Sequence, residues 1–307
     1  MVFPGQGSQS AGMLNGYGDI PVIREVLTEA SDILKQDIAK LVAEGPAEEL
    51  NKTVNTQPVM VTAAWAAYRA WQELGGQEPA MVAGHSLGEY TALVVAGSIS
   101  FAQALPLVRQ RAQAMQEAVP AGVGAMAALL GLDDEAARAA CAESAQGEVV
   151  EAVNFNSPGQ IVIAGHAAAV QRAIAAAKAR GAKRAVALPV SAPFHSSLMA
   201  PAAARLREVL ETAEVKAPRI PVVHNIDAQT RSDPASVRDA LVRQADHAVL
   251  WADCIKAFAA AGVTHVYECG PGKVLGPLSK RIVATLEGLA LADRAALDQG
   301  LQNFRRA

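Results

Sequence analysis

The chain has 307 residues, 51% hydrophobic and 19% charged, which suits one large core plus a smaller one and excludes a disordered or fibrous protein. Its formal net charge of −3, with both signs interspersed, provides no global basic field, so nucleic acid is not expected as a partner. Cys141, Cys254 and Cys269 are far apart and show no C-x-x-C spacing, so neither a disulfide framework nor a metal site is expected and a reducing cytoplasmic setting fits best. The N-terminus lacks a basic stretch followed by an apolar one, and no apolar run approaches the ~20 residues that span a bilayer. Neither export nor membrane insertion is expected.

In chain order, Met1-Val-Phe3 reads as the end of a strand, and so few residues precede Phe3 that part of this strand is expected to be missing. Pro4-Gly-Gln-Gly-Ser-Gln9 follows, either a plain turn or a loop whose two glycines expose backbone N–H groups to a ligand. Residues 21 to 75 read as mostly helical: Pro21 suits a helix start, and Asn55 to Leu74 forms a long apolar helix ended by Gly75-Gly76. Trp65, Tyr68 and Trp71 recur within it at three-residue spacing and are expected to pack in the core.

Pro79-Ala-Met-Val-Ala83 is a short apolar run that reads as a buried strand, and Glu89 to Ala96 reads as a helix. Between them lies Gly84-His85-Ser86-Leu87-Gly88, a candidate nucleophile elbow. Glycines two residues either side of Ser86 permit a sharp strand-to-helix turn that exposes its hydroxyl at a helix N-terminus. Ser100 then suits the N-cap of a helix running to about Val119, with Arg109 and Arg111 flanking its apolar face on opposite sides. Periodicity does not decide which of these arginines enters a cleft.

Residues 121 to 190 change character. Strands at 123 to 131, 148 to 155, 160 to 165 and 183 to 190, with helices at 133 to 144 and 166 to 180, give the order β-α-β-β-α-β of a ferredoxin-like module. It is expected to be inserted into a larger domain built from residues 1 to 120 and 191 to 307. In the second segment Ser196 to Glu214 reads as a helix, while Pro221 to His224 and Thr264 to Cys269 read as strands, which implies an α/β fold with a largely parallel sheet.

A serine nucleophile needs a base, and six histidines are available. His85 adjoins Ser86 but its side chain is expected to diverge in the turn. His166 opens a helix of the insert, His247 lies at a polar helix end, and His224 and His265 fall on expected strands. His195, between a strand and a helix N-terminus whose dipole helps keep imidazole neutral, has the position of an active-site base.

Several separated stretches now coincide: Phe3 to Gln9, Gly84 to Tyr90, Arg111 with Met115 to Pro120, Ala192-Pro-Phe-His195, and Glu268-Cys-Gly-Pro-Gly-Lys-Val-Leu275. Together they resemble the malonyl-CoA:acyl carrier protein transacylases of type II fatty acid synthesis, almost from end to end. The resemblance implies a hydrolase-like α/β core with a ferredoxin-like insert. It implies Ser86 as nucleophile, His195 as base, Arg111 as partner of the substrate carboxylate, and the N–H groups of Gln6 and Leu87 as an oxyanion hole. His85 and Phe194 would line the substrate site, Phe194 marking the malonyl-selective form, and the backbone carbonyl of Leu250 would orient His195. Malonyl-CoA and acyl carrier protein would be the substrates, with no cofactor or metal, no membrane partner and a monomeric state. Lys178, Arg180, Lys183, Arg184, Lys273, Lys280 and Arg281 are candidate docking positions for an acidic carrier protein. A serine esterase or thioesterase, a polyketide-type acyltransferase and a non-catalytic binding module on the same fold are the competing readings.

Overall fold

The computed structural model describes residues 1–190 and 192–306; Ser191 and Ala307, the expected ends of the second core segment, lie outside the described residues. The elements run β1 (Val2–Phe3), α1 (Pro21–Leu34), α2 (Ile38–Glu44), α3 (Ala47–Leu50), α4 (Thr53–Glu73), β2 (Ala83–Gly84), α5 (Gly88–Val95) and α6 (Phe101–Glu117). Next come β3 (Gly124–Leu130), α7 (Asp134–Ser144), β4 (Val150–Ser157), β5 (Gln160–His166), α8 (Ala167–Ala179) and β6 (Arg184–Ala187). The chain ends with α9 (Ala200–Thr212), α10 (Pro234–Gln244), α11 (Trp251–Ala260), β7 (His265–Glu268), α12 (Leu275–Ile282), β8 (Glu287–Ala290) and α13 (Arg294–Arg306). Local chemistry sets several starts: Ser100 and Gln103 form a reciprocal capping box on α6, and the Asp133 and Asp233 carboxylates accept from the first turns of α7 and α10.

The first sheet has the order β2-β1-β7-β8 and is parallel throughout. Pro221 to His224, expected as a strand, is reduced to isolated bridges, a parallel one between Val222 and Val82 beyond β2 and an antiparallel one between Val223 and Thr230. Pro221 has no N–H to donate, and the chain turns back directly after His224, whose carbonyl accepts from Ala228 N at 2.9 Å. Helices α1, α4, α5 and α6 cover the sheet with the main core, where Tyr68 meets Phe3 edge-on and stacks on Trp65, and Trp71 is fully buried. The expected packing role of these aromatic residues holds.

The second sheet, order β4-β5-β3-β6, is antiparallel throughout and has its own core of Leu129, Phe155, Ile161, Ile163 and Val170 with α7 and α8. That strand order is the split βαβ arrangement read from the sequence. The two sheets face each other across a cleft at the C-terminal ends of β1 and β2, where open parallel sheets place their ligands. Among the described residues no helix is long and apolar enough to cross a membrane.

Candidate active site

Ser86 lies between β2 and α5 with φ +50°, in the left-handed region that non-glycine residues seldom occupy. The turn is so tight that a Cβ on Gly84 would sit 1.8 Å from the Gly88 carbonyl carbon, and one on Gly88 2.2 Å from Phe3 O. Only glycine fits at either position. Three hydrogen bonds hold the elbow: Ser86 N donates to Asn225 Oδ1 (2.7 Å), Asn225 Nδ2 donates to Gly84 O (2.8 Å), and Gln244 Nε2 donates to Ser86 O (2.8 Å).

His195 lies 109 residues along the chain, and its Nε2 is 2.6 Å from Ser86 Oγ. Its Nδ1 is 2.8 Å from Gln244 O, an acceptor, which places the ring proton on Nδ1 and leaves Nε2 free to receive the serine proton. Burial, helped by the Arg111 guanidinium and opposed by the Gln244 carbonyl, pushes the His195 pKa down to about 3. The ring is therefore neutral at physiological pH.

The orienting carbonyl belongs to Gln244, which corrects the expectation for Leu250. Gln244 ends α10, where the last carbonyls of a helix have no intrahelical donor and remain free to bind a side chain. Leu250 lies one loop further on; its N–H donates to Asn225 O (2.8 Å) and its side chain packs against the core of the antiparallel sheet.

The two arginines of α6 separate. Arg109 turns away, donating to Leu34 O (3.2 Å) and to the Gln36 side chain. Arg111 is 1% exposed and donates to Gln57 Oε1 (2.9 Å), Gln244 Oε1 (2.9 Å) and Ser86 Oγ (3.3 Å), with the Tyr90 ring 5.4 Å away. Burial lowers its pKa, but a guanidinium stays charged. Among the described residues no carboxylate lies within ion-pair distance of it.

Gln6, Leu87, His85 and Phe194 line the same cleft of about 500 Å³. Among the described residues the backbone N–H groups of Gln6 and Leu87 have no acceptor, and both belong to loops that bracket Ser86. His85 does diverge: its Nε2 meets Asn156 Oδ1 (2.7 Å) and its ring lies beside Trp251, where burial lowers its pKa. Met115, Met126, Val162 and Phe194 give the cleft apolar walls.

Sequence reasoning missed a buried polar cluster behind the elbow. Glu89, fully buried, accepts from His224 Nδ1 (2.7 Å), Asn225 N (2.9 Å) and Gln244 Nε2 (3.0 Å). One signal was available for Glu89, which directly follows the Gly-x-Ser-x-Gly run, whereas Gln57 follows Asn55 and Thr56 in the polar start of α4 and does not stand out from them. Asn225 and Gln244 carry no local signal.

A model of the acyl transferase domain matches residues 1–282, and the chain belongs to that family. Among its relatives, the malonyl CoA-acyl carrier protein transacylase of Salmonella typhimurium is 56% identical over 301 residues, covering 98% of this chain and 97% of that one. The solved acyl-carrier-protein S-malonyltransferase from Burkholderia pseudomallei superposes with a TM-score of 0.97 at 63% identity, covering 98% of each chain. A malonyl-transacylase solved in complex with its type II PKS acyl-carrier protein, in the holo form, gives 0.97 at 51% identity, again covering 98% of each chain.

Proposed function

We propose that this chain transfers a malonyl group from malonyl-CoA to the phosphopantetheine thiol of an acyl carrier protein, through an ester on Ser86, to supply fatty acid elongation. The observation that carries this reading is the placement of a buried guanidinium, without a counter-ion among the described residues, 3.3 Å from a serine hydroxyl that a neutral histidine is poised to deprotonate.

His195 Nε2 takes the Ser86 proton as Oγ attacks the thioester carbonyl, and Gln244 O stabilises the imidazolium that forms. The N–H groups of Gln6 and Leu87 receive the developing oxyanion, each such donor contributing about 3 kcal/mol to lowering the barrier. As the tetrahedral intermediate collapses, the carbon–sulfur bond breaks and His195 returns its proton to the leaving thiolate. The carrier thiol then repeats these steps in reverse roles, which makes the kinetics ping-pong. Throughout, Arg111 holds the malonyl carboxylate, a contact that acetyl-CoA cannot make, leaving the buried charge unpaired.

These steps draw on no cofactor. The working setting is the cytoplasm and the working state a monomer. Of the seven candidate docking cations, all exposed, Arg180, Lys273 and Lys280 are already paired with Glu143, Asp293 and Glu287. Among the described residues Lys178, Lys183, Arg184 and Arg281 have no ion pair, Arg281 donating instead to Pro158 O (3.2 Å), and these four are the better candidates for the carrier protein.

The test is the intact mass of the protein after brief mixing with malonyl-CoA, followed by peptide mapping. A malonyl adduct on Ser86, discharged by holo carrier protein, is expected. Free malonate released without any carrier product would instead indicate a hydrolase, and tight binding without an adduct a non-catalytic module.

A further inference from the structure

Arg111 is buried beside a carboxylate it does not touch. Glu89 and Arg111 both bond to the side chain of Gln244, Glu89 Oε2 accepting from its Nε2 at 3.0 Å and Arg111 donating to its Oε1 at 2.9 Å. The amide can satisfy both only in this orientation, since the flipped one would set its N–H groups against the guanidinium and its oxygen against the carboxylate. On its other side the guanidinium meets a second neutral acceptor, Gln57 Oε1, at 2.9 Å. Glu89 is in turn occupied by His224 Nδ1 and Asn225 N. In a water-poor interior the direct ion pair would be strongly attractive, so an intervening amide has a cost that needs a reason.

We propose that Gln57 and Gln244 are specificity-determining residues: by meeting Arg111 only with neutral oxygens and holding Glu89 one amide away, they reserve the guanidinium for a carboxylate carried by the acyl group. Gln57 is the cleaner of the two to change, because Gln244 also holds His195 and the Ser86 carbonyl. The inference rests on the reading that Arg111 receives the malonyl carboxylate. A carboxylate built in at position 57 would take over that place. A malonyl group would then meet an occupied guanidinium and a like charge, whereas a neutral acyl group would enter a compensated pocket.

The experiment compares the parent protein with Gln57→Glu and Gln57→Met, reading the rate of Ser86 acylation by malonyl-CoA and by acetyl-CoA from intact mass. For Gln57→Glu, malonyl acylation is expected to fall about 100-fold or more while the acetyl rate holds or rises, so that the preference collapses. Gln57→Met, which removes an acceptor but adds no charge, is expected to slow both acyl groups by a similar factor and keep the malonyl preference. Retained preference in Gln57→Glu overturns the inference. So does loss of preference in Gln57→Met, which would make Gln57 a shape-keeping residue and remains readable if the Glu variant fails to fold. Failure of the underlying reading looks different: the parent itself would then form no malonyl ester or show no preference for malonyl over acetyl.

Discussion

Two buried regions lie on either side of the cleft. The core of the antiparallel sheet is apolar, with Leu129, Ile161, Ile163 and Val170 fully buried. Behind Ser86, residues Glu89, Arg111, His224, Asn225 and Gln244 are buried to the same degree, at 0 to 1% exposure. The first region is held by contacts without direction, so a side chain of similar volume substitutes at small cost. The second is held by donors matched to acceptors, and removing one partner strands another in a place that water does not reach. An apolar core supplies stability, whereas the polar region fixes where a proton and a charge reside.

The sharpest separation of the two comes from Ser86→Ala. Acylation should fall by about 10⁴-fold or more while the melting temperature scarcely moves, because the hydroxyl is the group that reacts. A mass adduct persisting in this variant would place the nucleophile elsewhere. Arg111→Ala should lower malonyl acylation by about 100-fold or more and raise the relative rate with acetyl-CoA, measured by competing the two thioesters. An unchanged ratio would remove Arg111 from carboxylate recognition.

Across the cleft the pattern should invert. Ile163→Ala should destabilise the protein by about 2 to 5 kcal/mol in denaturant melts, through lost burial and a residual cavity. The acylation rate of the molecules that remain folded should stay near that of the parent. A large loss of rate in that fraction would mean that the two regions are not separable.

Acid should act through the polar region. His195 has a pKa of about 3 when folded and near the usual 6.5 when unfolded, so between these values the unfolded chain binds a proton that the native protein does not. Stability therefore rises with pH across this window and is lost as pH falls below about 6.5, and His195→Gln should flatten that loss. Parallel acid profiles for parent and variant would contradict the buried neutral histidine. The smallest effect belongs to the exposed cations: Lys183→Glu with Arg184→Glu should weaken the apparent affinity for carrier protein by about 3- to 10-fold at low salt. No change in apparent affinity would remove this pair from the docking surface.

By itself the sequence determined whatever depends on neighbours along the chain. The elbow at Ser86 was legible because its pattern spans five residues, and the crowding that demands glycine at Gly84 lies within them, whereas Gly88 is required by the close approach of Phe3 in β1. The antiparallel module was legible for a related reason, since its strands and helices carry their own periodicities and pair within a single stretch from Gly124 to Ala187. Arg111 and Arg109 looked equivalent on one helix, and only packing against α4 and α10 separated them. The assignment of the orienting carbonyl to Leu250 failed in the same way, because any residue can offer a carbonyl and what matters is which helix end points at His195. Gln244 meets Ser86 across 158 residues of chain, and Asn225 meets it across 139. An amide is ordinary in a sequence and acquires its role when folding removes water from around it and brings a carboxylate to one end and a guanidinium to the other.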